Sequence, residues 1–511
     1  MRAATLPRMT SALLATKSVE QSIADTESGD HQLRKRLGPL DLTVFGIGVV
    51  IGTGIFVLTG EAAGLEAGPA VSLSFVLAGI VCGLAALCYA EFASTVPVAG
   101  SAYTFSYASL GELVAWIIGW DLILELALGA STVAVGWSTY LKQLLAGTSF
   151  ALPDSIAGST ADVNLVAAGI VVLLTAVICV GIKVSSQVNA VAVAIKLAVV
   201  LLVIVAGIAY VKSSNYSPFV PPKGSKGAAG MSAAPSLLQD LGVSQGAFGF
   251  SGIITGAATV FFAFIGFDAV ATTAEETRTP QRDVPIGIFA SLAICTTLYV
   301  LVSLVVTGMV HFDKIKTDAP LAAAFDSVGQ HTIATLVSVG AIAGLTTVML
   351  TLMLGQSRVF FAMARDGLLP APFARVSERT GTPLLPSIVT GAAVAVVAAL
   401  VPLTELAKLV NIGTLFAFVL VSIGVVVLRR TRPDLPRAFR APLVPLVPVL
   451  AVLLSVYLML NLPAATWVRF VVWMAVGLVV YAGYGRRRSH LRQATGTPGS
   501  SPSASARTYS P

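Results

Sequence analysis

The chain has 511 residues, of which 56% are hydrophobic and 11% are charged, and its mean hydropathy is +0.86. This composition excludes an ordinary water-soluble domain, in which about 25% of residues are charged. The net charge of +7 would favour a nucleic-acid partner in a soluble protein, but here the basic residues lie mainly beside apolar stretches and set membrane orientation. We therefore predict a membrane protein in contact with a lipid bilayer, with no nucleic-acid partner.

The two ends of the chain differ in composition from its apolar middle. Residues 1–37 are polar and mixed in charge, and they lack the apolar core of a secretory signal. Residues from about 494 to 511 are rich in Ser, Pro, Thr and Gly, so they bury too little apolar surface to fold alone. We predict a cytoplasmic N-terminal tail over 1–37 and a disordered cytoplasmic tail over 486–511.

Apolar runs of about 20 residues, long enough to cross a ~30 Å hydrocarbon layer as helices, recur through the middle of the chain. They predict an all-α polytopic membrane protein with about twelve transmembrane helices. The predicted ranges are 40–64, 69–95, 113–141, 163–183, 187–211, 249–274, 286–310, 332–358, 384–403, 407–428, 442–461 and 466–484. Residues 38–211 hold the first five helices and residues 249–428 the next five. Residues 429–485 hold the last two, and 212–248, rich in Gly, Ser and Pro, is predicted as an extracellular loop.

Lys and Arg are distributed unevenly between the two ends of the predicted spans. With the N-terminus inside, the cytoplasmic side receives nineteen: Arg34, Lys35, Arg36, Lys183, Arg278, Arg282, Arg358, Arg365, Arg375, Arg379, Arg429, Arg430, Arg432, Arg437, Arg440, Arg486, Arg487, Arg488 and Arg492. The opposite side receives eight: Lys142, Lys212, Lys223, Lys226, Lys314, Lys316, Lys408 and Arg469. Basic residues concentrate on the cytoplasmic side, so we predict a cell-membrane protein with an even number of spans and both termini cytoplasmic.

The first predicted span is interrupted by glycine. Four glycines fall within nine residues at mid-span: Gly46, Gly48, Gly52 and Gly54. Each interior glycine costs about 1 kcal/mol of helix stability relative to alanine, so the helix is weakest where the bilayer is deepest. Close packing is an equal alternative, because Gly48 and Gly52 form a small-xxx-small pair.

The sixth predicted span has a comparable weak point, with Gly266 and Asp268 near mid-span. The first and sixth spans hold the same position in two sets of five. Paired Gly-interrupted spans point to the binding site in transporters built from inverted repeats. Half-helix N-termini offer free N–H groups to a carboxylate, and freed carbonyls accept hydrogen bonds from an ammonium. A zwitterionic amino acid offers both groups.

Three segments resemble a known family. They are the run from Leu37 through Ile51-Gly-Thr-Gly-Ile-Phe56, residues 264–285 from Phe-Ile-Gly-Phe-Asp to Asp-Val-Pro, and residues 355–370 from Gly-Gln-Ser-Arg to Gly-Leu-Leu-Pro. Together they resemble the amino acid/polyamine/organocation (APC) superfamily, specifically its cationic amino acid transporter branch. The resemblance covers roughly residues 33–485.

The resemblance implies a leucine-transporter-type fold, with two inverted five-helix repeats plus two C-terminal helices. It places the substrate carboxylate at backbone N–H groups of the first break and the ammonium at carbonyls of the sixth. The predicted substrate-binding residues are Ile51, Gly52, Thr53, Gly54, Phe262, Ala263, Ile265, Gly266, Asp268 and Glu125.

Lys196 is the only charged residue in its predicted span, 187–211. A charge at the bilayer centre costs ~2.5–3.5 kcal/mol even on a lenient scale, so this lysine should face a cavity, find a partner or lose its proton. The alternative is snorkelling, but the cytoplasmic end is about nine residues, roughly 13 Å, away. In proton-coupled relatives a lysine here replaces a bound sodium ion, so the resemblance implies proton coupling at Lys196.

Further acidic residues lie within the predicted spans. Asp121 and Glu125 are four residues apart and share one helical face, which should point into the bundle. Glu125 is a candidate contact for a basic substrate group or a water network, or else a structural hydrogen-bond partner. Asp268 either caps the second half of its broken helix or contacts substrate and Thr53. Glu91, near the end of the second span, is expected to reach the membrane interface.

These features predict a permease, that is, a secondary active transporter that takes up amino acids by proton-coupled alternating access. Cationic amino acids are among the candidate substrates. An amino acid exchanger is the alternative. A membrane sensor or enzyme is more remote, because the cysteines and histidines form no metal-binding or catalytic motif. No cofactor or metal is predicted, and the driving force is the proton gradient. The amino acid carried and the oligomeric state stay open.

Overall fold

A computed structural model describes residues 37–95, 101–181, 186–228, 234–243, 246–377, 380 and 382–489. The predicted tails lie outside these residues apart from Leu37 and 486–489. Within the described ranges the chain is helical and has no β-strand, and its one isolated bridge joins Leu37 to Thr277.

The first half of the chain forms helices that follow the predicted spans closely. They are α1 (Pro39–Val50), α2 (54–67), α3 (Val71–Thr95), α4 (Ser101–Ser109), α5 (Glu112–Leu145), α6 (Leu165–Val180) and α7 (Ser186–Ile208). Helix α2 is irregular, because two π-helical segments, Gly54–Leu58 and Ala63–Ala67, flank a single α-helical turn.

The second half of the chain begins with another interrupted helix. Its helices are α8 (Gly249–Val260), α9 (Ala269–Thr272), α10 (Pro280–Met309), α11 (Pro320–Ser327), α12 (His331–Arg365), α13 (Leu384–Leu400), α14 (Leu403–Thr431), α15 (Leu446–Leu460) and α16 (Ala464–Val480). A 3₁₀ turn, Phe261–Phe264, follows α8 without a gap, and residues 265–268 separate it from α9.

The helices confirm an all-helical, polytopic membrane fold. In the described part of the chain, eight helical segments are long and apolar enough to cross a membrane, judged by length and composition. Helices α1, α6, α13 and α15 are apolar but shorter. Large apolar side chains such as Val172, Val205 and Val479 are exposed on the outside of the bundle, where lipid would cover them.

Two boundaries differ from the predictions in ways that matter for charge. Helix α12 continues seven residues past the predicted end at 358, so Arg358 lies within it and Arg365 ends it. Arginine is a good helix former, and an apolar run alone therefore underestimates the helix length. Helix α14 begins at Leu403 and not at 407, which moves Lys408 from the second position of the span to the sixth, where it is only 8% exposed. Lys408 is thus a buried residue and not a flanking charge.

The interrupted helices lie at the centre of the bundle. Helix α1 packs against α7 and α10, and α8 packs against α3 and α14. The π-helical start of α2 contacts the 3₁₀ turn Phe261–Phe264, so the two interruptions meet. Helix α5 runs beside them and packs along α12 and α14.

Candidate functional site

The first interruption lies where the glycines predict it. Ile51 makes the last regular bond of α1, from its amide to the carbonyl of Ile47 at 2.9 Å, and then turns to extended backbone with ψ 97°. The Ile51 amide is therefore engaged in the helix. The Gly52 amide donates no backbone hydrogen bond within the described residues, and free donors begin there.

The second interruption has a residue that only glycine fits easily. Ile265 is extended, and Gly266 has φ +105°, a conformation that L side chains rarely adopt. A Cβ atom on Gly266 would also lie 2.4 Å from Val49 Cγ1, at the end of α1. Glycine therefore serves both the turn and the contact between the two interrupted helices.

Gly54 brings the two interruptions into direct contact. A Cβ atom there would lie 2.2 Å from the Cα atom of Ala263, so no larger residue fits without moving backbone. Of the predicted packing pair, only Gly48 makes a close contact, since a Cβ atom there would lie 2.6 Å from Val193 Cγ2, whereas one on Gly52 would meet Val348 at an ordinary 3.5 Å. Gly52 instead lies in the break, and Gly54 lets the two breaks touch.

Tyr299 on α10 joins the two interruptions. Its hydroxyl donates to the carbonyl oxygens of Val50, at 2.8 Å, and Ala263, at 2.9 Å. The Val50 carbonyl is freed because α1 stops there, and the Ala263 carbonyl is among those predicted to meet a substrate ammonium. Tyr299 is fully buried, and Cys295, also buried, lies one turn earlier on the same helix.

Lys196 reaches the same interruption from α7. Its Nζ atom donates to the carbonyl oxygen of Gly48 at 2.5 Å, and the residue is 1% exposed. In a continuous helix this carbonyl would accept the Gly52 amide, so the break leaves it free for the lysine. A cation is also favourable at the C-terminal end of a helix. Lys196 thus points into the bundle and does not snorkel.

Thr53 stands at the start of the second half of the broken helix. It precedes the π-helical segment Gly54–Leu58, and its hydroxyl oxygen is buried with no hydrogen-bond partner among the described residues. An unpartnered hydroxyl beside the free Gly52 amide is the donor set that a carboxylate needs. The position of Thr53 is therefore consistent with its predicted role.

Three buried carboxyl groups lie close to one another next to the second interruption. Glu125 lies near enough to Asp268 and Asp121 to interact with them electrostatically, and it lies near Thr414 on α14. These three carboxyl groups are 4%, 8% and 0% exposed, respectively. Both carboxylate oxygens of Asp121 are without a hydrogen-bond donor in the described chain. The face of α5 that holds Asp121 and Glu125 points inward, as predicted.

Asp268 stands at the predicted cap position, but it makes neither of the two protein contacts predicted for it. It occupies the position before α9 but makes no side-chain bond to that helix's second or third amide. Its carboxylate instead lies close to the backbone amides of Gly266 and Ala269. The Thr53 hydroxyl has no partner in the described chain, so a direct bond to Asp268 is absent.

The structure adds polar groups that the sequence analysis passed over. Asn411 on α14 donates to the carbonyls of Ala258 and Thr259, at 2.7 and 3.2 Å, where α8 ends. Gln356 on α12 donates to the Ile123 carbonyl of α5 at 3.1 Å. Both are amides inside predicted spans, where a polar group is costly, and that rule would have identified them.

Glu91, predicted to reach the membrane interface, is covered by protein. It is 3% exposed. Its carboxylate accepts two hydrogen bonds from Arg429, at 2.7 and 2.6 Å, and one from the Ala441 amide at 2.8 Å. Arg437 lies 3.5 Å away. The carboxylate is buried because the connection after α14 folds over the end of α3 and supplies donors.

A polytopic bundle with two interrupted helices in contact, freed backbone groups at the contact and buried charges around it is the architecture of a membrane transporter. The model of the amino acid permease family matches residues 37–481, so the chain belongs to this family. The resemblance to the APC superfamily is thereby confirmed, and the protein is a transporter and not an enzyme.

Several curated proteins are similar over most of the chain. The branched-chain amino acid permease BcaP of Bacillus subtilis is 47% identical over 493 residues, which cover 95% of this chain and all of that protein. The methylthioribose transporter of the same organism is 45% identical over 94% of this chain and all of its own length. The vacuolar cationic amino acid transporter 2 of Arabidopsis thaliana is 40% identical over 83% of this chain and 64% of its own.

Proposed function

We propose that the protein takes up amino acids across the cell membrane by proton-coupled alternating access. The observation that carries the proposal is the contact between the two interruptions, at Gly54 and Ala263, beside freed backbone donors and acceptors. Donors at Gly52 and Thr53 suit a carboxylate, and carbonyls near Phe262 and Ile265 suit an ammonium. A zwitterion therefore binds at the point where the helices can move relative to one another.

The proposed topology has twelve spans. Helices α1 and α2 together make the first span and α8 with α9 the sixth, and the three other short apolar helices, α6, α13 and α15, make the fourth, ninth and eleventh. We assign residues 38–211 and 249–428 to two inverted five-helix repeats and 429–485 to two further spans. Helices of 15–17 residues cross by local thinning of the bilayer or by help from flanking residues.

The proposed orientation places both termini in the cytoplasm, in keeping with the distribution of Lys and Arg. Helix α2 and helix α8, on the far side of the two interruptions from the N-terminus, then form the outer half of the site. Helices α1 and α9 belong to the cytoplasmic half.

Lys196 is proposed as the proton-coupling residue. When protonated, its ammonium makes a charge-assisted bond to the Gly48 carbonyl and holds α7 against the end of α1. Loss of the proton weakens this bond and removes a buried charge, so α1 is released from α7. Proton binding and the position of α1 are thereby linked.

The substrate is proposed to be an amino acid, and the relatives suggest more than one class. One similar protein is named as a branched-chain permease and another as a cationic transporter. The buried carboxyl groups of Asp121, Glu125 and Asp268 favour a cationic side chain, because a substrate cation would offset their charge. The methylthioribose transporter is a reason to include that sugar in the test.

Uptake into proteoliposomes tests the proposal. Labelled leucine, lysine and methylthioribose are offered with and without an inward proton gradient, to the wild type and to Lys196→Ala. We expect amino acid accumulation that requires the gradient and is lost in Lys196→Ala, whereas Lys212→Ala, at an exposed lysine, behaves as the wild type. Gradient-driven uptake by Lys196→Ala would contradict the coupling role. Uptake that ignores the gradient but needs internal amino acid would instead identify an exchanger.

A further inference from the structure

Three charged residues lie buried together in the outer half, away from the three carboxyl groups described above. Glu61 and Glu66 are on α2 and Lys408 is on α14, and they are 4%, 4% and 8% exposed. The charge of Lys408 acts on both glutamates, yet it forms no direct ion pair with either in the described chain. Nothing in the transport scheme above uses these residues.

Hydrogen bonds connect the helices around this charged cluster. The Thr259 hydroxyl on α8 donates to one carboxylate oxygen of Glu66 at 2.9 Å. Asn411 on α14 donates to the Thr259 carbonyl at 3.2 Å, and Lys408 lies three residues before it on the same face of that helix. The Phe248 amide donates to the Glu66 carbonyl at 2.6 Å. Helices α2, α8 and α14 are therefore held together at this cluster.

Two oxygen atoms among these groups lack a hydrogen-bond donor. Within the described residues, the second carboxylate oxygen of Glu66 and the side-chain oxygen of Asn411 have no hydrogen-bond partner, and both are buried. Both atoms are acceptors, so what the cluster lacks is a donor hydrogen. A proton on Glu66 would supply one.

Charge counting gives the same result. The cluster holds two carboxyl groups and one ammonium, a net charge of −1 when all are ionised, and burying an uncompensated charge is costly. Glu405, also on α14, is paired with Arg469, and the pair adds no net charge, although the Glu405 carboxylate acts electrostatically on Glu61. The other charged groups of neighbouring segments are at least partly exposed: Lys223, His311, Asp313, Lys314, Lys316 and Asp318. One bound proton makes the cluster neutral.

We propose that Glu61, Glu66 and Lys408 form a proton-binding site that takes one proton from the extracellular side when the outer half closes. The proton passes from external water to a glutamate carboxylate, and it returns to water when α2 and α8 separate from α14 and the cluster is hydrated. The site rests on the proposed transporter topology but is independent of Lys196.

Accessibility labelling tests the site without substrate or proton gradient. Ser251 on α8 is 8% exposed and lies near Phe248, so Ser251→Cys reports opening of the outer half to an impermeant maleimide applied from outside. The exposed Ser214→Cys, measured in parallel, corrects for the pH dependence of the thiol reaction. We expect the corrected labelling rate to rise with pH by up to about tenfold per pH unit, because the closed state holds one more proton.

Variants of the cluster decide the outcome. Glu66→Gln mimics the protonated state and keeps an acceptor for Thr259, so labelling should become slow and independent of pH. Asp240→Asn, which removes one exposed carboxylate outside the cluster, should keep the wild-type pH dependence. If Glu66→Gln does not purify as a monodisperse protein, Glu61→Gln carries the same expectation.

Two results would overturn the proposal. One is a pH dependence that persists unchanged in Glu66→Gln or Glu61→Gln, and the other is labelling that follows sodium concentration at constant pH. The labelling is repeated in Lys196→Ala, where the pH dependence should remain. Failure of the proton coupling at Lys196 and failure of this outer site are therefore told apart.

Discussion

The hydroxyl of Tyr299 is the most informative single group to remove, because it connects the two interrupted helices. Tyr299→Phe keeps the ring, which packs between Phe75 and Phe264, and deletes the donor to the Val50 and Ala263 carbonyls. The packing of the aromatic cluster should therefore survive the change.

The magnitude follows from the loss of one hydrogen. A single hydroxyl hydrogen serves two carbonyls, so the cost is that of leaving one buried acceptor unsatisfied, about 1–3 kcal/mol. If this cost falls on the arrangement in which the interruptions touch, transport slows by roughly 5- to 150-fold, since each 1.4 kcal/mol is about tenfold. The rate of uptake by proteoliposomes at a saturating amino acid concentration measures this decrease.

Tyr216→Phe provides the matched control. The Tyr216 hydroxyl donates to the Leu304 carbonyl of the same helix α10 at 2.8 Å, but it touches neither interruption. We expect wild-type uptake from Tyr216→Phe. Equal uptake by Tyr299→Phe and Tyr216→Phe, at equal protein incorporation, would refute the reasoning that the bridge matters for transport.

Two further substitutions test packing and charge elsewhere. Gly54→Ala should abolish uptake, because its Cβ atom would lie 2.2 Å from Ala263 Cα. Gly83→Ala, with open space around it, should transport normally. Normal uptake by Gly54→Ala would disprove the close contact. Glu91→Gln leaves Arg429 without its carboxylate partner and should lower the melting temperature in detergent. Breaking a buried ion pair costs roughly 3–5 kcal/mol of folding free energy, and we expect the lower end of this range because Arg429 is partly exposed. The exposed Asp434→Asn should leave the melting temperature unchanged, and an equal effect of these two changes would argue against a special role for Glu91.

The interruptions themselves could be predicted from the sequence. Glycines clustered at mid-span weaken a helix wherever they occur, so Gly52 and Gly266 mark the breaks without any knowledge of their neighbours. Lys196 was predictable for a similar reason, because a lone charge in a span must find an interior partner. Its particular partner, the Gly48 carbonyl, follows only once the break is known to free it.

The residues that connect separate helices could not be predicted in the same way. Tyr299 looks like any aromatic residue of an apolar span, and its function depends on α10 lying beside both breaks. The burial of Glu91 depends on a connection that follows α14 and folds back over α3. Lys408 was counted with the basic residues at the outer ends of the spans, because the apolar run begins four residues after the helix does. Each depends on contacts between segments far apart in the chain.

The central claim is that the two interruptions together bind an amino acid, and a structure with a transported amino acid bound tests it most directly. We predict that the substrate carboxylate lies within hydrogen-bond distance of the Gly52 amide and the Thr53 hydroxyl, with the ammonium at the carbonyls of Phe262 to Ile265. A substrate bound elsewhere in the bundle, with these groups still unoccupied, would contradict the account.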